Sequence, residues 1–216
     1  EYIEDDAFTG CKSLQSLILK DSGTHLAIGR RRGSYNGKDY ENALFYDCKL
    51  NYIYIGRNLD YSTSYYYEQY SPFFSNPIYE KTITIGDSVT QIKDYMFENI
   101  SLKSVNIPKY VQLIGKRAFA DNGNLNGIVL NIPASCIYIG SEAFSGCASG
   151  IDSINVSPDN LYYDSRENCN ALIETRSNTF ILGCEKSDIP STVTSIGEGA
   201  FRSKYYFSEL KYIDIP

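Results

Sequence analysis

Apolar residues recur along the chain in one phrase: Val-x-x-Ile-Gly-x-x-Ala-Phe-x-x-Cys, followed by Leu-x-x-Ile-x-Ile-Pro. The clearest copies begin at Val111, Cys136 and Val193. They place Ile-Gly at 114–115, 139–140 and 196–197, and Ala-Phe at 118–119, 143–144 and 200–201. Weaker copies end at Phe8, Phe45, Phe74 and Phe97. The anchors Phe8, Phe45, Phe74, Phe97, Phe119, Phe144 and Phe201 define a unit of about 22 to 25 residues, with insertions in three of the intervals.

Each unit predicts the same elements. In Leu102-x-x-Val105-x-Ile107-Pro108 the last apolar residues alternate with a polar one, which reads as a short strand with one buried face. The Pro ends its ladder. Val111 to Ile114 reads as a second short extended piece, Gly115 as a turn, and Ala-Phe as the start of a helical or 3₁₀ turn. One unit cannot bury its own apolar row, whereas stacked units bury a continuous one. The expected inward pairs are Leu17 and Leu19, Ile53 and Ile55, Ile83 and Ile85, Val105 and Ile107, Leu130 and Ile132, Ile154 and Val156, and Ile213 and Ile215. These should align as parallel strands of a curved sheet over a shared spine of Phe. An irregular β-sandwich does not account for the phased Ala-Phe pairs.

Alternation also names the outward side chains. Between the inward pairs lie Ile18, Tyr54, Thr84, Asn106, Asn131, Asn155 and Asp214. One column further out lie Ser16, Tyr52, Thr82, Ser104, Val129, Ser153 and Tyr212. Such a face either binds a protein, as concave repeat surfaces do, or is an Asn and Thr ladder that solvates the sheet. Insertions are expected at about 20–44, 56–73 and 157–188. The first two are Tyr-rich and read as protruding loops. Tyr61, Tyr65, Tyr66, Tyr67 and Tyr70 could contact a ligand there, since Tyr offers amphipathic area at low entropic cost, or could cover the flank of the stack. In the third insertion, Ala171 to Thr175 and Thr179 to Gly183 flank a short polar turn and read as a β-hairpin, inside an interval long enough to hide a further, divergent coil.

Composition narrows the chemistry. Among 216 residues there are 20 basic and 26 acidic side chains, a net charge of −6. That balance argues against a nucleic-acid or anionic-membrane binder, which needs clustered cations. No stretch reaches the ~18 apolar residues of a membrane span. There is one His, His25, read as an ordinary loop residue, and there are six Cys with no CxxC pair and no His nearby, so no metal site is implied. Cys11, Cys48 and Cys147 share one repeat position as interior thiols, with Asn99, Asn122 and Lys204 in that place elsewhere. Cys169 and Cys184 flank the predicted hairpin two places out of register, so a disulfide there is not favoured. Gly146 to Gly150 has no accompanying base, Ile28 to Tyr35 lacks a phosphate-loop ending, and no carboxylate pair has a catalytic spacing. No catalytic residue and no cofactor is implied.

The repeated phrase resembles the BspA-like, or Treponema-type, leucine-rich repeat family of bacterial surface proteins, over nearly the whole chain. Ile83 to Thr90 and Ile189 to Gly197 are close to its consensus, and Tyr163 to Thr175 is similar to an insertion common in versions from gut Bacteroides and relatives. The resemblance implies an α/β repeat fold: a right-handed leucine-rich-repeat solenoid over residues 1–216, with short helical or 3₁₀ turns and a β-hairpin insertion. Both ends cut through a unit, so the chain reads as a fragment of a longer array. Some relatives are adhesins, which implies an extracellular or cell-surface, outer-membrane-associated, non-enzymatic module that recognises a protein, such as a host extracellular protein. A structural spacer without a ligand is the alternative, and a glycan-binding module is a weaker one.

Overall fold

The structure is a computed structural model that describes residues 1–35, 38–63, 71–75, 78–104, 106–123, 125–204 and 213–216. The chain lays down short strands that pair in parallel with the same strand of the next repeat. In the first stack, Ser16–Leu19, Tyr52–Ile55 and Thr82–Ile85 pair with Leu17, Ile53 and Ile83 in one row and Leu19, Ile55 and Ile85 in the next. All six are buried. A parallel bridge from Lys81 to Leu102 leads onward, and Ile128–Ile132 pairs with Ile151–Val156. Leu130, Ile132, Ile154 and Ile107 are buried, while Val156 is only half-buried. Val105 lies outside the described residues.

The second extended piece of each unit builds a second stack. Tyr2–Ile3, Leu26–Ile28 and Leu59–Asp60 pair in parallel, as do Gln91–Ile92, Leu113–Ile114 and Tyr138–Ile139. The Asn58 side chain joins the two sets: its Oδ1 accepts from the Thr90 and Gln91 amides at 2.9 and 3.1 Å. The expected single curved sheet is therefore two parallel stacks, each in segments. Within the first predicted insertion, Leu26–Ile28 belongs to this stack, and Arg30–Tyr35 pairs with Lys38–Ala43 as an antiparallel hairpin. Leu59–Asp60 likewise joins the stack from the second.

Between the stacks run the Ala-Phe turns, and here the expected helical turn is corrected. Among the described residues the helices are two three-residue 3₁₀ segments, Ala148–Gly150 and Arg166–Asn168. The turns instead carry left-handed residues at two fixed places. One precedes the Ala position (Asp6, Tyr95, Arg117, Glu142, Gly199) and one falls two after the Phe (Gly10, Asn99, Asp121, Gly146). That alternation sends every other N–H along the stack. Tyr95, Phe97 and Asn99 donate to the carbonyls of Lys116, Ala118 and Ala120 at 2.7–2.9 Å. Arg117, Phe119 and Asp121 repeat this to Ser141, Ala143 and Ser145. The intervening amides close local turns, Ala120 to Arg117 among them. A non-Gly residue in the left-handed region costs on the order of 1 kcal/mol or more, and the ladder bonds satisfy groups whose burial unpaired would cost as much or more.

The Gly of Ile-Gly has a different reason from the expected turn. Gly115 and Gly140 do not have positive φ. A Cβ at Gly140 would sit 2.5 Å from the Lys116 amide nitrogen, and one at Gly115 would meet Asp94 in the same way. Gly is there because the preceding coil's backbone lies against its Cα.

Phe rings run down the middle. Phe8 to Phe45, Phe97 to Phe119 and Phe119 to Phe144 are 5.0, 5.2 and 5.3 Å apart at their centroids. One anchor shifts by a residue: Phe73, not Phe74, sits between Phe45 and Phe97, at 6.1 Å from each. Phe74 turns aside onto Tyr46 and is still buried. Phe201 packs on Phe180, at 5.1 Å, and not on Phe144. Counting three past Phe97 puts buried Ile100 at the Cys position in place of Asn99. Ile215 is 65% exposed, so the last predicted inward pair is not interior.

The 157–188 segment is an antiparallel meander, Tyr163–Asp164, Leu172–Glu174 and Thr179–Leu182, whose last strand pairs in parallel with Ser195–Ile196. It carries its own small core of Cys169, Ala171, Ile173, Phe180 and Ala200. All six Cys are free thiols; Cys48 and Cys147 are buried as expected, but Cys11, on the first coil, is exposed.

Candidate functional site

The outward face of the first stack brings the predicted columns into register. Ser16, Tyr52 and Thr82 form one row, and Ile18, Tyr54 and Thr84 the next. Ile18 is 61% exposed. Tyr54 is not a free aromatic: its hydroxyl donates to both oxygens of Asp21, at 3.0 and 2.9 Å, and that carboxylate holds the phenol above its usual range. Further along, Asn131 and Asn155 pair in register and Asn155 Nδ2 donates to Asn131 Oδ1 at 3.1 Å. This is a ladder contact of the solvating kind. Asn106 and Asp214 are exposed outside any strand. Tyr65, Tyr66 and Tyr67 lie outside the described residues. The Tyr52, Tyr54 and Thr84 group is thus assembled, while Asn131 and Asn155 belong to a separate pair of strands.

The second stack carries a face that alternation did not reveal, because its strands are mostly only two residues long. Leu113 and Tyr138 are adjacent in register, and Tyr138 is 54% exposed. Ile137 beside it is also exposed. Asn160 extends this face by one coil. Its Nδ2 donates to the carbonyls of Pro133 and Cys136 at 2.7 and 2.9 Å, and its Oδ1 accepts from the amides of Tyr162 and Tyr163. Tyr163 turns inward, and its hydroxyl accepts from the Ile139 amide at 2.7 Å. Burial pushes that phenol well above its usual range. Leu161, 83% exposed, and Tyr162 are left outside, on the coil that Asn160 ties to the Pro133 and Cys136 carbonyls. Aligning the residue before Ile114 and Ile139 of Ile-Gly and before Ile92 of the equivalent Ile-Lys (Leu113, Tyr138 and Gln91) would have found the column.

Towards the other end the same face becomes ionic. Asp60 accepts from Lys93 Nζ at 2.6 Å and pairs with His25 Nδ1 at 3.0 Å. Lys93, with His25 adding to it, holds the Asp60 carboxyl below the usual range. Tyr61, next to Asp60, donates to the Asp94 carbonyl at 2.8 Å. A cleft of about 340 Å³ lies between Tyr61, Lys93, Leu113 and Tyr138. Among the described residues no group of three or more His, Cys, Asp or Glu could hold a metal ion, and no helix is long and apolar enough to cross a membrane.

Between the stacks, on the Ala-Phe turns, Arg117 is the centre of a partly buried ionic cluster in which Glu98 is the buried member. It donates to Glu98 and Glu142 at 2.6 Å and to Asp121 at 2.5 Å, tying three successive coils. Burial raises the Glu98 carboxyl, with Arg117 opposing that shift.

Short parallel strands repeated coil on coil, with an aromatic spine and a fixed turn, define a leucine-rich-repeat protein. The chain belongs to the BspA-type leucine-rich repeat family: six copies of that repeat match, over residues 1–30, 70–173 and 176–216. It is similar to the crystal structure of a leucine-rich repeat protein from Eubacterium ventriosum, with a TM-score of 0.53 and 17% identity over 93% of this chain and 53% of that one. The chain therefore spans about half the length of that neighbour. Pneumococcal vaccine antigen PcpA (TM-score 0.45, 12% identity, 92% of this chain and 55% of that one) scores lower. So does a leucine rich cell surface protein from Faecalibacterium prausnitzii (TM-score 0.37, 15% identity, 88% and 67%). No curated protein matches the chain.

Proposed function

We propose that the chain is a non-enzymatic recognition and adhesion module of a bacterial surface protein, coiled as one right-handed solenoid. It works outside the cell, at the outer surface, by holding a rigid face against a protein partner such as a host extracellular protein. The observation that carries this reading is the exposed Tyr138 in register with Leu113, with exposed Ile137 next to it in sequence and exposed Leu161 and Tyr162 on the coil that Asn160 ties to theirs. Exposed apolar and aromatic side chains gathered on adjacent coils are what an interaction surface needs and what a plain stalk lacks. Tyr52, Tyr54 and Thr84 offer a second contact zone on the other stack, and Asn106, Asn131, Asn155 and Asp214 are further, separate contact candidates.

A stalk without its own ligand is the second reading, and the Asn131–Asn155 hydrogen bond favours it. The two are separated by surface plasmon resonance of the immobilised chain against purified plasma and matrix proteins. Saturable binding that falls at least tenfold in Tyr138→Glu and Leu161→Glu variants of unchanged melting temperature supports recognition. Absence of saturable binding across the panel at micromolar concentration supports the stalk.

A further inference from the structure

The ladder of turns is interrupted between Phe144 and Phe201. The meander keeps Ser195–Ile196 on Thr179–Leu182 and away from Tyr138–Ile139. The two turns still touch at their far ends, where the Gly146 amide donates to the Arg202 carbonyl and the Lys204 amide to the Gly146 carbonyl, both at 3.1 Å. The stack therefore opens as a wedge, a cleft of about 250 Å³. Phe144, Ile181 and Leu182 give it an apolar wall, and Glu142, Glu174 and Glu198 are the charged residues of its lining.

Two features of this cleft point to a ligand. Ser145, also in its lining, is 3% exposed, and its Oγ, which lies against Gly199, has no hydrogen-bond partner among the described residues. A buried hydroxyl left unpaired costs about 1–3 kcal/mol, a deficit that a bound polar group would cancel. The second feature is charge. Glu142 is balanced by Arg117 at 2.6 Å and Arg202 at 3.7 Å. Glu174 accepts only from Ser177 among the described residues, and Glu198 has no cationic partner among them. Two uncompensated carboxylates beside an apolar wall select a cation on an aliphatic stem. The cleft is smaller than a typical small-molecule pocket of roughly 300–1,000 Å³, which suits a single side chain.

We propose that this cleft receives a lysine or arginine side chain projecting from the protein partner. Its stem would lie on Phe144 and Leu182, its charge would meet Glu174 and Glu198, and its N–H groups would reach Ser145 Oγ where a small shift of Gly199 uncovers it. The assignment rests on the recognition reading above and adds the chemistry of one contact.

The test is an amide NMR titration of the intact chain with the capped tripeptide acetyl-Gly-Lys-Gly-amide, using norleucine in place of lysine as the uncharged control. Saturable shifts at Ser145, Gly197 and Gly199 with the lysine peptide alone are expected. They should weaken at least tenfold in Glu174→Gln/Glu198→Gln and in raised salt. If the double variant does not fold, Glu198→Gln, on an exposed side chain, carries the comparison. Equal shifts from the norleucine peptide, no shifts at these amides, or unchanged affinity in the variants would overturn the assignment. Failure here with panel proteins still binding the chain removes the cleft alone; lysine binding without any panel partner keeps the cleft and removes the recognition reading.

Discussion

Lys81 is fully buried, and among the described residues its ammonium donates only to neutral acceptors: Ser75 Oγ and the Tyr79 carbonyl at 3.0 Å, and the Ile100 carbonyl at 3.3 Å. Burial lowers its pKa from 10.5 to about 8. The protonated form is therefore disfavoured on folding. Below pH 8 both folded and unfolded chains carry the charge, and the penalty is full, about 3 kcal/mol. As pH rises from 8 to 10.5 the folded chain sheds the proton first, the unfolded state binds more protons, and stability rises. At pH 10 the remaining penalty is below about 1 kcal/mol, so wild type should gain roughly 2.5 kcal/mol between pH 7 and 10 from this residue. Lys81→Met keeps the stem and removes the titration. Urea denaturation of both chains at half-unit pH steps, read as the difference between their unfolding free energies, isolates the effect from the many Tyr and Cys common to both. The difference should shift in favour of wild type by about 2.5 kcal/mol over that range. Parallel curves would refute the reasoning, since they would mean that Lys81 titrates alike in both states.

Other substitutions probe the frame itself. Phe119→Ala, which empties a site between the Phe97 and Phe144 rings, should cost about 3–5 kcal/mol in denaturant, whereas Asn131→Ala, on an exposed side chain, should stay within about 0.5 kcal/mol. Arg117→Leu leaves Glu98, Asp121 and Glu142 without their shared cation and should cost about 3–5 kcal/mol at pH 7. That deficit should shrink in acid, because protonating Glu98 removes the uncompensated buried charge; a deficit independent of pH would argue that only packing was lost. Gly140→Ala forces a methyl onto the Lys116 amide and should lower stability by about 1–3 kcal/mol, measurable as a fall in melting temperature.

The first stack was legible because four-residue strands such as Tyr52–Ile55 show a full in-out alternation, so burial of Ile53 and Ile55 follows from spacing alone. Phe119 and Phe144 were legible from their phase. Phe73 and Phe74 could not be separated, since Pro72 stands where Ala would mark the register and both neighbours are aromatic. Two-residue strands such as Leu113–Ile114 carry no period, which hid the second face. The ladder of left-handed residues at Arg117 and Glu142 has no signature in residue type. The wedge beside Phe144 depends on where Ser195–Ile196 pairs, a contact between distant segments that no local pattern encodes.

The turn ladder joins coil to coil through main-chain amides and carbonyls, with Phe and Ala inside and a bare Cα at Ile-Gly. Little of that scaffold is entrusted to the side chains that look outward. Residues such as Tyr138, Leu161 or Ile18 can be exchanged without disturbing the architecture beneath them. A lineage can thus rewrite what the molecule touches, coil by coil, while its skeleton stays the same.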